Sequence, residues 1–338
     1  MANLIAPSQY GSDEAGLITA YRFRPGTPGE PLDASEAQAC LAAREEGVFV
    51  WLHFNLANAA AERWLRQHLP LPDEFYEARH AGSRSTRIEQ LGPDLLAVVN
   101  DVTFSADLLS SDISTLWAYA SQRVLVTARL KPLRSVDMLR IAVRQGTVFP
   151  STVSLMVHLL QDQADVLVGM VRETTTRVDV IEDNLLAQRL SHHRSDLAAM
   201  RRVLVRFRRL LAPEPGVLLR LLNRPPVWLT EADVQALRTS TEEFSLVLSD
   251  LDGLVERIKL LQEELATRLD EQTNRTLFTL TVVTVLALPI NIVAGFFGMN
   301  VGGVPLSSHP HGFWILVLLV ASFTGLAGWW AFRGRDRY

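Results

Sequence analysis

The chain has 338 residues, is 48% hydrophobic and 21% charged, and carries a formal net charge of −4. These averages mix two environments, a soluble part of about 230 residues and a short lipid-embedded segment. Its single cysteine, Cys40, excludes a disulfide framework and Cys-x-x-Cys zinc, and reads as core filling.

From Met1 to Gly16 no basic start precedes an apolar core, so neither a signal peptide nor a targeting helix is expected and the soluble part belongs in the cytoplasm. Residues 17–130 alternate β-rich runs (Leu17–Phe23, Val48–Phe54, Leu95–Phe104, Ile113–Ala120, Val124–Ala128) with helical stretches (Asp33–Glu46, Ala57–Leu69), the texture of an α/β or α+β domain. The unbroken apolar run around Val50 predicts a strand covered on both faces, with His53 a satisfied core histidine rather than a metal ligand. Gly92-Pro93-Asp94 reads as a turn and Ser105–Asp112 as a connection.

After Pro150 helices dominate. Thr152–Leu190 predicts one long helix, and Ser191 starts a second that carries the basic run Arg201–Arg209 and is closed off by Pro213, Pro215 and Pro225-Pro226. That run reads as a solvated or acid-paired face. Without groove-reading or stacking elements it does not make nucleic acid a partner.

Thr230-Glu231-Ala232-Asp233 is a helix start, and no proline follows until Pro289. One helix of about 65 residues, roughly 100 Å long, therefore runs as a stalk into the membrane. Between Thr230 and Glu271 acids outnumber bases eleven to four. Several copies around an axis would concentrate cations there; a single copy would simply be a solvated acidic face.

From Thr276 to Phe332 there is no Asp, Glu, Lys or Arg. Each half, Thr276–Phe297 and Phe313–Phe332, is long enough to cross a hydrocarbon core of roughly 30 Å. Arg275 precedes the first span and Arg333, Arg335 and Arg337 follow the second, so both termini are expected in the cytoplasm, with Asn300 outside. Asn274, Leu277, Thr281, Thr284, Leu288, Asn291, Gly295 and Gly298 succeed one another at alternating spacings of three and four, one stripe on the first span. An unpaired amide costs several kcal/mol in hydrocarbon, so Asn291 must face other helices or water. A tight bundle without a pore and a pore lining both satisfy that demand, and the hairpin as a mere anchor is the blander alternative. Pro289 predicts a bend.

The run Leu288–Asn300, ending in Gly298-Met299-Asn300 after a proline-kinked span, resembles the CorA superfamily of divalent-metal transporters. The order of an α/β domain, two long helices, a stalk-to-membrane helix and a short second span is similar over essentially the whole chain. The continuation Val301-Gly302-Gly303-Val304-Pro305 looks like the zinc-transporting ZntB branch more than the magnesium branch, because the loop has no acid and instead carries His309 and His311, borderline-soft ligands suited to Zn2+.

The resemblance implies a membrane protein of α+β class and a homopentamer in the inner membrane of a bacterium. Its expected parts are a cytoplasmic α/β domain (1–150), long helices (151–229), a stalk (230–275), a pore-lining span (276–299), an outer loop (300–312), a second span (313–332) and a cytoplasmic end (333–338). Gly298, Met299 and Asn300 would form the entrance, Asn274, Leu277, Thr281, Thr284, Leu288, Asn291 and Gly295 the pore, and Phe313, Trp314, Trp329 and Trp330 the interfacial anchors. The implied cargo is Zn2+, with proton coupling implied for that branch; Mg2+, Co2+, Ni2+ and Cd2+ are alternatives, and no permanently bound cofactor is expected. The arginine-rich end departs from the family's lysine cluster. A Mg2+/Co2+ channel of the same family and a membrane-tethered scaffold are the rival readings. No phosphate loop, nucleophile elbow or metalloprotease motif points to an enzyme.

Overall fold

The computed structural model describes residues 11–80, 86–103, 113–187, 193–299, 305–306 and 309–333. The chain divides into two compact units, Met1–Gln262 and Glu263–Tyr338.

Among the described residues, the first unit holds strands β1 (Leu17–Phe23), β2 (Glu30–Leu32), β3 (Phe49–Asn55), β4 (Arg87–Leu91), β5 (Asp94–Val102), β6 (Ile113–Ala120) and β7 (Val124–Arg129). They form one 7-stranded sheet of order β2-β1-β3-β7-β6-β5-β4. The β3–β7 pair is parallel and the others are antiparallel. The short strands β2 and β4 at the two edges are additions to the strands expected from the pattern. Gly92 holds φ at 61°, which a side chain would strain, and turns β4 back on β5 with Leu91 opposite Asp94. The expected Ser105–Asp112 connection lies outside the described residues.

Helices α1 (Ala34–Ala43), α2 (Ala59–His68) and α3 (Asp73–His80) accompany one face, where Val50, Leu52 and Phe54 meet Ala61, Leu65 and Phe75. The other face carries Phe49 and Trp51 into a second core with Val136, Leu139 and Val143 of α4 (Arg134–Arg144) and Leu155 and Leu159 of α5 (Thr152–Leu186). Strand β3 is apolar without alternation because both of its faces are covered. His53 is 1% exposed and shares the Thr127 hydroxyl with Trp51 Nε1, each at 2.9 Å. Burial, with Arg129 and Arg140 nearby, pulls its pKa well down and keeps it a neutral core residue. Cys40 packs half-buried against the first core.

Local chemistry sets the helix starts. Asp33 closes a capping box with Glu36 on α1, and Ser151 closes one with Ser154 on α5. The basic helix α6 (His193–Leu211) does not end the segment at Pro213: that proline begins α7 (Pro213–Asn223), where its missing N–H is harmless in the first turn. Leu218 and Leu222 of α7 join Val153, Val157 and Leu160 of α5 and Leu237 in a third core. Leu237 belongs to α8 (Glu231–Phe297), one 67-residue helix with Pro289 inside it. Helix α9 (Gly312–Arg333) completes the chain. α8 and α9 are long and apolar enough to cross a membrane, and almost none of their apolar windows is buried inside the chain.

Candidate functional site

Within the second unit, the two apolar helices each cover one face. Val282 is buried and Leu286, Ala287, Pro289 and Val293 are half-buried on α8, while Leu316, Val320, Thr324, Ala327 and Gly328 are half-buried on α9. A Cβ at Gly328 would stand 3.8 Å from Leu286 Cδ1, so the glycine lies against that face. The striped residues Asn274, Leu277, Thr281, Thr284, Leu288, Asn291, Gly295 and Gly298 are all exposed. At about 100° per residue the stripe points roughly 150° away from the α9-covered face. The second span therefore does not satisfy Asn291.

The threonines on this helix are chemically polarised. Thr281 donates its hydroxyl to the Leu277 carbonyl at 2.8 Å and Thr284 to Leu280 at 2.9 Å; Thr276 and Thr279 do the same one turn back. Their protons are occupied, so what each presents outward is an oxygen lone pair. Pro289 brings no N–H to the Val285 carbonyl, which leaves a further acceptor on the helix.

The helix ends tightly. Gly298 N–H donates to the Ala294 carbonyl at 3.0 Å, and a Cβ on Gly298 would sit 3.2 Å from that oxygen, so only glycine turns here without displacing its neighbour. Met299 follows, half exposed. Asn300, and with it the third member of the expected entrance, lies outside the described residues, as do Val301–Val304. His309 and His311 lie with ring centroids 6.3 Å apart. His309 Nδ1 accepts the His311 N–H at 3.2 Å, so a neutral His309 keeps its proton on Nε2, and metal capture there must displace that proton or the turn bond. Among the described residues no group of three or more His, Cys, Asp or Glu side chains could hold a metal ion.

The acidic stretch divides between the units. In the first, Arg257 bridges Asp179 at 2.7 Å and Glu182, Lys259 meets Glu256 at 2.9 Å, and Arg208 of α6 meets Asp252 at 2.5 Å. Glu231, Glu242, Glu243 and Asp250 remain exposed to solvent. In the second, Arg268 pairs with Glu264, while Asp270 and Glu271 are exposed. Part of the basic run on α6 is thus acid-paired, as its composition suggests. Among the buried acids that escaped the sequence reading are Asp101, Asp162 and Glu214. The available signal was weak: an acid ending an apolar strand, one inside an apolar helix face, and one between two prolines.

The family model described as CorA-like Mg2+ transporter protein matches residues 46–333. The divalent cation transporter CmaX of Pseudomonas aeruginosa is 29% identical over 327 residues, covering 95% of this chain and 96% of its own length. The zinc transport protein ZntB of Pectobacterium atrosepticum is 24% identical over 285 residues, covering 84% of this chain and 87% of its own. A solved structure of full-length CmaX superposes with a TM-score of 0.80 at 27% identity, over 97% of this chain and all (100%) of that one. The CorA magnesium transporter of Methanocaldococcus jannaschii shares the fold, with a TM-score of 0.69 at 17% identity over 92% of this chain and 96% of that one. Since the family match begins at the lead-in to β3 and runs to the end of α9, taking in five of the seven strands, the stalk and both spans, the chain belongs to the CorA superfamily.

Proposed function

We propose that the chain carries divalent metal cations, Zn2+ first among them, through an axial path lined by the first spans of several copies, a homopentamer in the inner membrane of a bacterium with both termini in the cytoplasm. The observation that carries this reading is the exposed stripe on α8, turned away from α9 and rich in carboxamide and hydroxyl oxygens. In hydrocarbon such a stripe needs polar company, and neighbouring copies around a watery axis supply it.

The chemistry suits a hydrated ion. A divalent cation holds its water tightly, and neutral oxygens accept hydrogen bonds from that shell without stripping it or trapping the ion. Gly298, Met299 and Asn300 form the entrance in this reading, and Leu288 an apolar constriction. Asn274 lies near the inner mouth, where the exposed acids of the stalk raise the local cation concentration. The residue ranges 1–150, 151–229, 230–275, 276–299, 300–312, 313–332 and 333–338 then serve as cytoplasmic domain, long helices, stalk, pore span, outer loop, outer span and cytoplasmic end.

Zinc is favoured over magnesium by a loop without acids and by His309 and His311, and by the similarity to ZntB. The family description, which names Mg2+, favours the second reading, a Mg2+ channel of the same architecture. Proton coupling belongs to the zinc reading. Since the spans hold no carboxylate, a proton would move in water or through the histidines.

Purified protein in liposomes tests all of this by Zn2+ flux. Asn291→Leu is expected to reduce flux at least tenfold, since losing about 1.4 kcal/mol of ion stabilisation at one ring of side chains already gives that factor. Unchanged flux in the variant, or none in the parent protein, overturns the pore. Zn2+ uptake abolished by excess Mg2+ supports the magnesium reading, and uptake indifferent to an imposed pH gradient removes the coupling.

A further inference from the structure

Behind the sheet of the first unit, three acids from three elements converge: Asp101 of β5, Asp162 of α5 and Glu214 of α7, at 1%, 6% and 0% exposure. Asp101 is fully bonded. One oxygen accepts the Val102 N–H at 2.7 Å, and the other accepts the Ser135 N–H at 3.2 Å and the Ser135 hydroxyl at 2.5 Å, at the start of α4. Gln163 spans the gap to α7, its Nε2 donating to the Asn100 carbonyl at 2.7 Å and to Glu214 Oε2 at 3.2 Å. The end of α6 is tied to the same place, because Thr86 donates to the Leu210 carbonyl at 3.2 Å.

Glu214 Oε1 and Asp162 Oδ2 are buried with no hydrogen-bond donor among the described residues. A bare carboxylate oxygen in such a place costs several kcal/mol, and a proton on the carboxyl removes that cost.

The charged groups around the seam do not compensate Asp162 or Glu214. His158 Nε2 is 3.8 Å from Asp162 Oδ2, but burial lowers the pKa of that histidine and favours its neutral form. Asp165, on the same helix, repels Asp162. Arg134 of α4 acts on Asp101, and Asp137 and Arg140 of α4 pair with each other at 3.2 Å. Burial first, then Asp165 and Asp101, pushes Asp162 up to about 8. Burial, with Asp101 adding and Gln163 opposing, pushes Glu214 up to about 8, and burial raises Asp101 to about 6.

We propose that this seam is a proton-operated latch: with Asp162 and Glu214 protonated, the α6–α7 junction is seated on α5 and β5, and loss of those protons to a more alkaline cytoplasm unseats it. The compartment named rests on the orientation proposed above. The seat matters to the rest of the first unit because Leu218 and Leu222 of α7 share a core with α5 and with Leu237 of α8. The direction follows from linkage. Acids whose pKa is raised in the seated state stabilise it fully below their ordinary values, and this stabilisation is lost as pH rises towards about 8.

Hydrogen exchange of the full-length protein in detergent, expressed as protection factors for residues 217–223, tests the latch between about pH 6 and pH 9. For each proton involved, protection is expected to fall about tenfold per pH unit up to about 8 and then level off. Glu214→Gln, which keeps an oxygen for Gln163 and cannot ionise, is expected to be protected with a shallower slope. Asp162→Asn is expected to do the same, and it decides the matter if the first variant does not fold. Flat protection in the parent protein, or parental slopes in both variants, overturns the latch. Zn2+ flux on the same samples separates the two readings. Absent flux sinks transport while the exchange data still judge the latch.

Discussion

Asp233 is the residue on which the two longest helices of the first unit begin together. Its Oδ1 accepts the Ser151 hydroxyl at 2.7 Å, and Ser151 in turn caps α5 by accepting the Ser154 N–H at 3.0 Å. Its Oδ2 accepts both the Thr230 hydroxyl at 2.7 Å and the Thr230 N–H at 3.1 Å, while the Thr230 hydroxyl accepts the Asp233 N–H at 3.2 Å, the reciprocal box at the start of α8. One carboxylate thus serves two helix starts 82 residues apart in sequence. Asp233→Ala removes the three bonds that the carboxylate accepts and strands two hydroxyl donors, a loss of about 2–3 kcal/mol. The thermal-unfolding midpoint of the detergent-solubilised protein should fall accordingly by several degrees, with Asp233→Asn intermediate because it keeps one acceptor oxygen. An alanine variant that melts with the parent would show that neither start depends on the other.

Among the elements, the α8–α9 hairpin depends on close approach at Gly328. A Cβ there meets Leu286 at an ordinary 3.8 Å, so Gly328→Ala should fold and melt like the parent, whereas Gly328→Leu must push the helices apart at a cost of about 1–3 kcal/mol. Size-exclusion profiles and melting of the two variants check this, and equal behaviour of alanine and leucine would contradict the packing. The same elements divide what was legible from what was not. Strands β1, β3, β6 and β7 announced themselves as apolar runs bounded by turns, and α8 by the absence of proline from Glu231 to Leu288. The stripe was legible too, since a three–four spacing survives in any helix. Which face α9 covers was not, because α9 is apolar all round and its sequence prefers no side. The edge strands β2 and β4 were too short or too polar to register, and Pro213 does follow the end of α6 as read, but its second role as the start of α7 was not legible because proline ends one helix and begins another with the same φ. Asp101, Asp162 and Glu214 stayed hidden because a buried acid has no pattern of its own. It looks like a turn or a solvated position until the chain has folded around it.

At the scale of the whole molecule, the second unit poses a problem that one copy of the chain does not solve. Its α8 buries a face against α9 and leaves Thr281, Thr284 and Asn291 facing outward, in a segment with no charge to hold it in water. Lipid on that face would leave the carboxamide of Asn291 without partners, whereas other copies of α8 around an axis, as proposed, would satisfy it and place like residues side by side. The outward face of α9, with Leu318 at 69% exposure, is largely apolar and presents no carboxamide, so it can remain in lipid. The lone Cys40 makes this contrast measurable, since Cys40→Ala clears the background of thiols. In that background Thr281→Cys should give a disulfide-linked dimer on mild oxidation in membranes, because in the proposed assembly equivalent α8 positions of adjacent copies approach one another across the axis. Leu318→Cys should stay largely monomeric under the same conditions, its thiols separated by lipid. Equal cross-linking at the two positions, or a dimer from Leu318→Cys alone, would place the copies back to back through α9 and leave the stripe without the axis that the ion path requires.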